Sequence, residues 1–342
     1  MATSIYITSA EDNSGKSTVA LGVMDRLQSQ GKKVGVFRPI TVPSGAQDYI
    51  LQSLIDHDSV DLDIADCIGV SYDDVHADQE AALATIVERF HTMEHSCDAV
   101  VIVGSDFSDV ASPTELSFNA RIAANLGAPV LLVLRGRGST GRSRGGLVEQ
   151  PARPVKDLVN LVDMALPELE KEHATLFGVV ANRVEQSDLA EVTSALAEAI
   201  PDGFVGAIPE NEFLIAPTLE RVMESIDGRF IHGDPALMKR EVLHAKVAAM
   251  NVENVISRLR EGEVVLVPSD RSEVLLAVLS AHESDTFPSL AGIVLYGGYP
   301  TPETVWRLVI GMNSSLPIIE APSTTYETVM GVMETRSRFA AD

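Results

Sequence analysis

Ser9-Ala10-Glu11-Asp12-Asn13-Ser14-Gly15-Lys16-Ser17-Thr18 joins a β-branched run at residues 4–9 to a stretch of helical period at 16–30. A Gly-Lys-Ser turn that opens a helix offers backbone N–H donors, the positive end of a helix and a cation, the three things a phosphate needs. In that reading Asn13, Ser14, Gly15, Lys16, Ser17 and Thr18 form a nucleotide-binding loop. Gly15 lets the backbone approach, Lys16 bridges phosphates, and the Ser17 hydroxyl holds Mg²⁺. The usual pattern has glycine where this chain has Ala10.

Outward from this turn, short apolar runs alternate with stretches of helical period, the signature of a parallel sheet covered by helices. Strands are expected at 4–9, 33–38, 98–103, 129–134, 175–181 and 203–207, with helices near 16–30, 45–56, 74–96, 115–126, 153–171 and 187–200. The runs Val100–Val103 and Val130–Val133 are continuously apolar, which fits central strands buried on both faces. Pro209 to Pro217 breaks the pattern, and a helix follows at 218–225. The expected division is therefore 1–214 and 215–342, the second part a smaller α/β domain. Its strands are expected near 263–267, 292–296 and 317–320, with helices near 252–260, 272–281, 303–311 and 325–336.

Composition narrows the function. The 342 residues are 45% hydrophobic, enough for real cores, and carry 26 Lys and Arg against 49 Asp and Glu, a formal charge of −23. Such a surface repels nucleic-acid backbones and anionic lipid, so neither partner is expected. No apolar run reaches the ~18–20 residues of a spanning helix, and the N-terminus has no secretory pattern. Two cysteines, Cys67 and Cys97, make neither metal spacing nor a disulfide framework, which suits a cytoplasmic protein.

Other residues carry two readings each. Asp48 and Asp106 are either Mg²⁺ ligands or ordinary helix-start and turn residues. Asn182-Arg183 ends a strand, where the amide reads an adenine edge or closes an Asx-type turn. Leu134 to Gly146, with Arg135, Arg137, Arg142 and Arg144 among glycines, is a solvated loop or an arginine lid over a phosphate. Asp270 and Arg271 follow one strand of the second domain and Gly297 and Gly298 the next, an anion-receptive edge or plain loops. His91 and His95 fall on one helix face and are read as solvated.

With these residues in view, the whole chain resembles the N-terminal half of long-form bacterial phosphate acetyltransferases. The resemblance rests on residues 5–18, V-G-V-F-R-P-I (34–40), G-V-V-A-N-R-V (178–184), G-A-I-P-E (206–210), L-V-P-S-D-R-S-E (266–273) and I-V-L-Y-G-G-Y-P (293–300). It implies a dethiobiotin synthetase-like P-loop domain followed by a DRTGG domain. It also implies a C-terminal acetyltransferase domain, which interconverts acetyl-CoA plus phosphate with acetyl phosphate plus CoA. These 342 residues do not include it, and a truncated region is preferred to a separate regulatory protein. Effectors such as ATP, NADH and pyruvate, and homo-oligomer assembly, are further implications.

Departures argue against ligase chemistry. The dethiobiotin synthetase loop pattern is met here by Ser9, Glu11 and Ser17, its substrate lysine by Arg38, and its Mg²⁺ glutamate by Val103, which cannot ligate a metal. Partition-type ATPases carry a lysine where this chain has Glu11, so that subclass is not expected. The adenine-reading asparagine is retained as Asn182. The expectation is a non-catalytic, nucleotide-sensing and assembly region. An ATP- and Mg²⁺-dependent ligase and a purely structural oligomerisation module are the alternatives.

Overall fold

The computed structural model describes residues 2–11, 14–41, 49–55, 57, 59–60, 62–105, 115–138, 142–143, 148–149 and 151–335. Backbone contacts divide the chain into two units: residues 1–138 with 152–210 and 339–342, and residues 139–151 with 211–338.

The first unit runs β1 (Thr3–Thr8), α1 (Lys16–Gln28), β2 (Val34–Thr41), α2 (Tyr49–Ile55), β3 (Ile68–Ser71), α3 (Tyr72–Ala77) and α4 (Gln79–Glu94). It continues through β4 (Ala99–Val103), α5 (Glu115–Asn125) and β5 (Val130–Arg135). A two-strand ladder, β6 (Arg142–Ser143) and β7 (Val148–Glu149), lies in the segment grouped with the second unit. The first unit then closes with α6 (Val155–Lys171), β8 (Leu176–Val184), α7 (Leu189–Ala199) and β9 (Phe204–Pro209).

Its seven strands pair in the order β3-β2-β4-β1-β5-β8-β9, all parallel. β4 and β5 flank β1 and are buried throughout, as their unbroken apolar runs require. One face packs Tyr6, Phe37, Ile102 and Leu132 against α4 to α7 through Ile86, Phe90, Ile122, Leu158 and Leu196. The other packs Ile7, Val36, Val101 and Leu131 against Val19, Ala20 and Met24 of α1 and Leu51 and Leu54 of α2. Since parallel strands run one way, every strand-to-helix turn after β1, β4, β5 and β8 falls at the same edge, where α/β sheets take their ligands.

Two local features depart from the expected pattern. The helix expected at 74–96 is two helices, because extended Asp78 accepts from the N–H groups of Glu80 and Ala81 and starts α4 afresh. β3 is an additional four-residue strand, followed directly by a reciprocal cap of Ser71 and Asp74.

The second unit contains α8 (Glu212–Ile215), α9 (Leu219–Ser225), β10 (Arg229–His232), β11 (His244–Val247), α10 (Val252–Ile256) and β12 (Glu263–Pro268). Then follow α11 (Ser272–His282), β13 (Gly292–Tyr296), α12 (Glu303–Met312), β14 (Ile318–Glu320) and α13 (Thr325–Glu334). The sheet order is β10-β14-β13-β12-β11, parallel except for the antiparallel pair β10 and β14. The sheet is mixed, within the smaller α/β domain expected here, and its strands β10 and β11 are short and poorly patterned in sequence. Trp306 of α12 meets the His232 ring edge-on, with centroids 5.8 Å apart.

His282 closes α11 half-buried, and its Nδ1 accepts from the Leu290 N–H at 3.1 Å. Burial holds its pKa below the ordinary 6.5. The unfolded chain therefore binds a proton that the folded chain refuses, and stability is lost as pH falls through about 6.5 toward the folded value. His282→Gln should flatten that segment of a denaturation-midpoint profile taken between about pH 7.5 and about pH 5, and an unchanged slope would contradict this assignment.

Candidate functional site

The turn after β1 is built from glycine and buried polar groups. Gly15 caps α1 at φ +80° and ψ 36°, a left-handed conformation that costs glycine nothing. The first helical bond runs from Val19 N–H to Gly15 O at 3.1 Å. Ser14, Lys16 and Ser17 are buried, and the Ser14 hydroxyl has no hydrogen-bond partner among the described residues. A buried hydroxyl without a partner costs about 1–3 kcal/mol. Thr18 is half-buried on the same turn; Asn13 and Asp48 lie outside the described residues, as does Asp106. Of the expected Mg²⁺ pair, Ser17 is therefore the described member.

Asn182 comes to this turn from the end of β8. Its amide Nδ2 donates to Ser14 O at 2.9 Å, and its Oδ1 accepts from the Arg183 N–H at 3.0 Å. Arg183 itself sits at φ +61°, rare for a residue with a side chain. Its guanidinium reaches Glu210 Oε1 through Nε at 3.1 Å and Nη2 at 2.8 Å. The structure thus joins Ser14, Gly15, Lys16, Ser17, Asn182 and Arg183 in one place.

Arginines cluster beside it, each with an acid. Glu11 accepts from Arg153 Nη1 at 2.7 Å and Nη2 at 2.6 Å, and from the Arg135 backbone N–H at 2.8 Å. Arg137 bonds Glu185 Oε2 at 3.0 Å and also pairs with Glu210. The arginine-lid reading thus meets a different fact for Arg135 and Arg137: both belong to a mostly buried network. Arg144 lies outside the described residues, and of Arg142 the backbone alone is described, in β6. Arg153 was not singled out in sequence, because its partner Glu11 is 142 residues away.

Nearer β2 lies a second buried polar group. Tyr6 Oη donates to Asn119 Oδ1 at 2.7 Å, and Tyr72 Oη to Glu115 Oε1 at 2.6 Å. Burial raises the Tyr6 phenol well above its ordinary pKa, with buried Arg38 opposing the shift. Arg38 thus lies within the electrostatic reach of Tyr6.

In the second unit Pro268 pairs with Tyr296, which brings the two expected turns together. Ser269 Oγ accepts from Tyr299 N–H at 3.0 Å, and Gly297 and Gly298 take φ +98° and +71°. Asp270 is exposed. Arg271 braces the chain after β11, donating to Ala249 O at 3.4 Å and Met250 O at 3.2 Å.

A family profile described as an AAA domain matches residues 3–218, well over half of the chain. The chain belongs to that family. A second profile, the DRTGG domain, matches residues 221–335 of this AAA-family chain. It is 26% identical over 338 residues to a phosphate acetyltransferase of Synechocystis, covering 96% of this chain and 46% of that protein. With the phosphate acetyltransferase of Nitratidesulfovibrio vulgaris it shares 27% over 355 residues, covering 100% and 48%. The resemblance to the N-terminal region of phosphate acetyltransferases therefore holds, and the chain spans about half the length of the curated relatives it matches. An ATP complex of Cyanothece McdA aligns with 18% identity over 62% of this chain and 84% of that one, at a TM-score of 0.37. Among the described residues, no helix is long and apolar enough to cross a membrane and no group of three or more His, Cys, Asp or Glu could hold a metal ion.

Proposed function

We propose that the first unit binds ATP with Mg²⁺ at the Ser14–Thr18 turn, as the nucleotide-sensing and assembly region of a phosphate acetyltransferase, without catalysing a reaction itself. The observation that carries this reading is the buried, unpartnered Ser14 hydroxyl at the mouth of α1, beside left-handed Gly15 and buried Lys16. Each serves an anion, and they sit beside four arginines, which Glu11, Glu185 and Glu210 neutralise only in part, in a chain whose formal charge is −23. Local positive charge on an acidic protein favours a polyphosphate over a neutral ligand. Ser17 would hold Mg²⁺, and Asp48 is proposed as its carboxylate partner. Bound Mg²⁺ would neutralise phosphate charge.

The wider reading places a P-loop domain at 1–214, a DRTGG domain at 215–342, and the acetyltransferase domain beyond, in a cytoplasmic homo-oligomer responsive to ATP, NADH or pyruvate. The paired turns at Asp270–Arg271 and Gly297–Gly298 are its proposed second ligand-facing edge. The reading is tested by thermal unfolding. ATP with Mg²⁺ at ~100 times its dissociation constant should add ~2.7 kcal/mol, and Lys16→Ala should remove that gain. No gain in the wild-type chain would leave only the structural-module alternative, and ADP release with a carboxylate or amine acceptor would favour the ligase.

A further inference from the structure

We infer that the phosphate loop signals its occupancy, through Asn182, Arg183 and Glu210, to the segment that begins the second unit; this rests on the nucleotide-binding reading above. The argument starts at one peptide plane. In a trans peptide the C=O and N–H point in opposite directions. Asn182 holds the Ser14 carbonyl at 2.9 Å, so the Gly15 N–H of the same plane is directed away from Asn182. A phosphate that captures this N–H turns the plane and moves the carbonyl against the Asn182 amide. Asn182 cannot move alone, because its Oδ1 accepts from Arg183 N–H at 3.0 Å.

At this point the sheet gives way. The ladder between β8 and β9 runs from Gly178 with Phe204 to Ala181 with Ala207, then shifts register before Val184 meets Pro209. On the β9 side Asn182 and Arg183 lie within the shift, whereas on the β5 side Asn182 stays paired with Arg135 and its carbonyl accepts from Gly136 N–H at 2.7 Å; Arg183 alone falls outside both ladders, so a pull from the Asn182 side chain is taken up there. Arg183, at φ +61°, is tied through its guanidinium to Glu210, whose other oxygen pairs with Arg137. Glu210 is also pinned at its backbone, N–H to Val184 O at 2.9 Å. The next residue, Asn211, opens the second unit, and Phe213 and Leu214 just beyond are exposed. A change at the loop therefore reaches the chain where it passes between units.

The test is amide hydrogen exchange of the full chain with and without ATP and Mg²⁺, read in peptides covering residues 204–218. Wild type should show a severalfold change in exchange there, with strand 99–103 unchanged as a control. Glu210→Gln keeps the size of the side chain but loses both ion pairs; it should still gain thermal stability from ATP while losing the 204–218 response. If ATP stabilises the wild-type chain and residues 204–218 do not respond, the coupling is overturned and nucleotide binding stands. The same response in Glu210→Gln also overturns it. If ATP binds neither protein, the nucleotide reading falls first and the coupling with it.

Discussion

Gly15→Ala should cost about 2–5 kcal/mol of stability and abolish ATP binding. Two effects add. At φ +80° an L-residue is strained by about 1–2 kcal/mol, which glycine escapes. The new methyl would also stand 2.3 Å from Asn182 Nδ2, a distance that real side chains do not show, so the amide must leave Ser14 O. Losing that buried bond leaves a carbonyl unsatisfied, at about 1–3 kcal/mol. The turn then no longer presents the Gly15 N–H inward. Gly22→Ala is the internal control, for its added methyl meets nothing within 4 Å. In a helix interior it should stabilise by about 0.5–1 kcal/mol. Denaturant titration of both proteins measures the contrast, and equal midpoints would refute it.

Glu11→Ala should destabilise the first unit by about 3–5 kcal/mol, because it strips a mostly buried cation of its partner. Arg153 and Glu11 are only 12% and 14% exposed and share two parallel hydrogen bonds. The Arg135 backbone N–H, held at 2.8 Å, also loses its acceptor. The double variant Glu11→Ala with Arg153→Ala should recover part of the loss, since an apolar pair is less costly than one unpaired charge. A coupling of at least ~1 kcal/mol in the double-mutant cycle is the expected reading; strict additivity would mean the contact carries no energy.

What the sequence disclosed and what it withheld follow from the range of the forces involved. The phosphate turn is local: strand, glycine, lysine and helix occur within 26 residues, from Thr3 to Gln28, and were legible together. β4 and β5 were legible as central because burial on both faces leaves Ala99–Val103 and Val130–Leu134 without a polar residue. The strand order was not, as nothing local tells β4 to insert between β1 and β2. Short elements also escaped: β10 and β11, four residues each, mix charge and apolar side chains in Arg229–His232 and His244–Val247 without a readable period. At the site, Asn182 was visible as a motif but its grip on Ser14 is a contact across 168 residues. Glu11 read as a departure from family patterns; its bidentate arginine appeared only in three dimensions.

The edge-on contact of Trp306 with His232 has an optical consequence. The chain has one tryptophan, and it belongs to the second unit. Indole emission thus originates in the second unit, and a fluorescence melt reports on the surroundings of Trp306 there. An emission change on adding ATP would report a rearrangement around Trp306 in the DRTGG half.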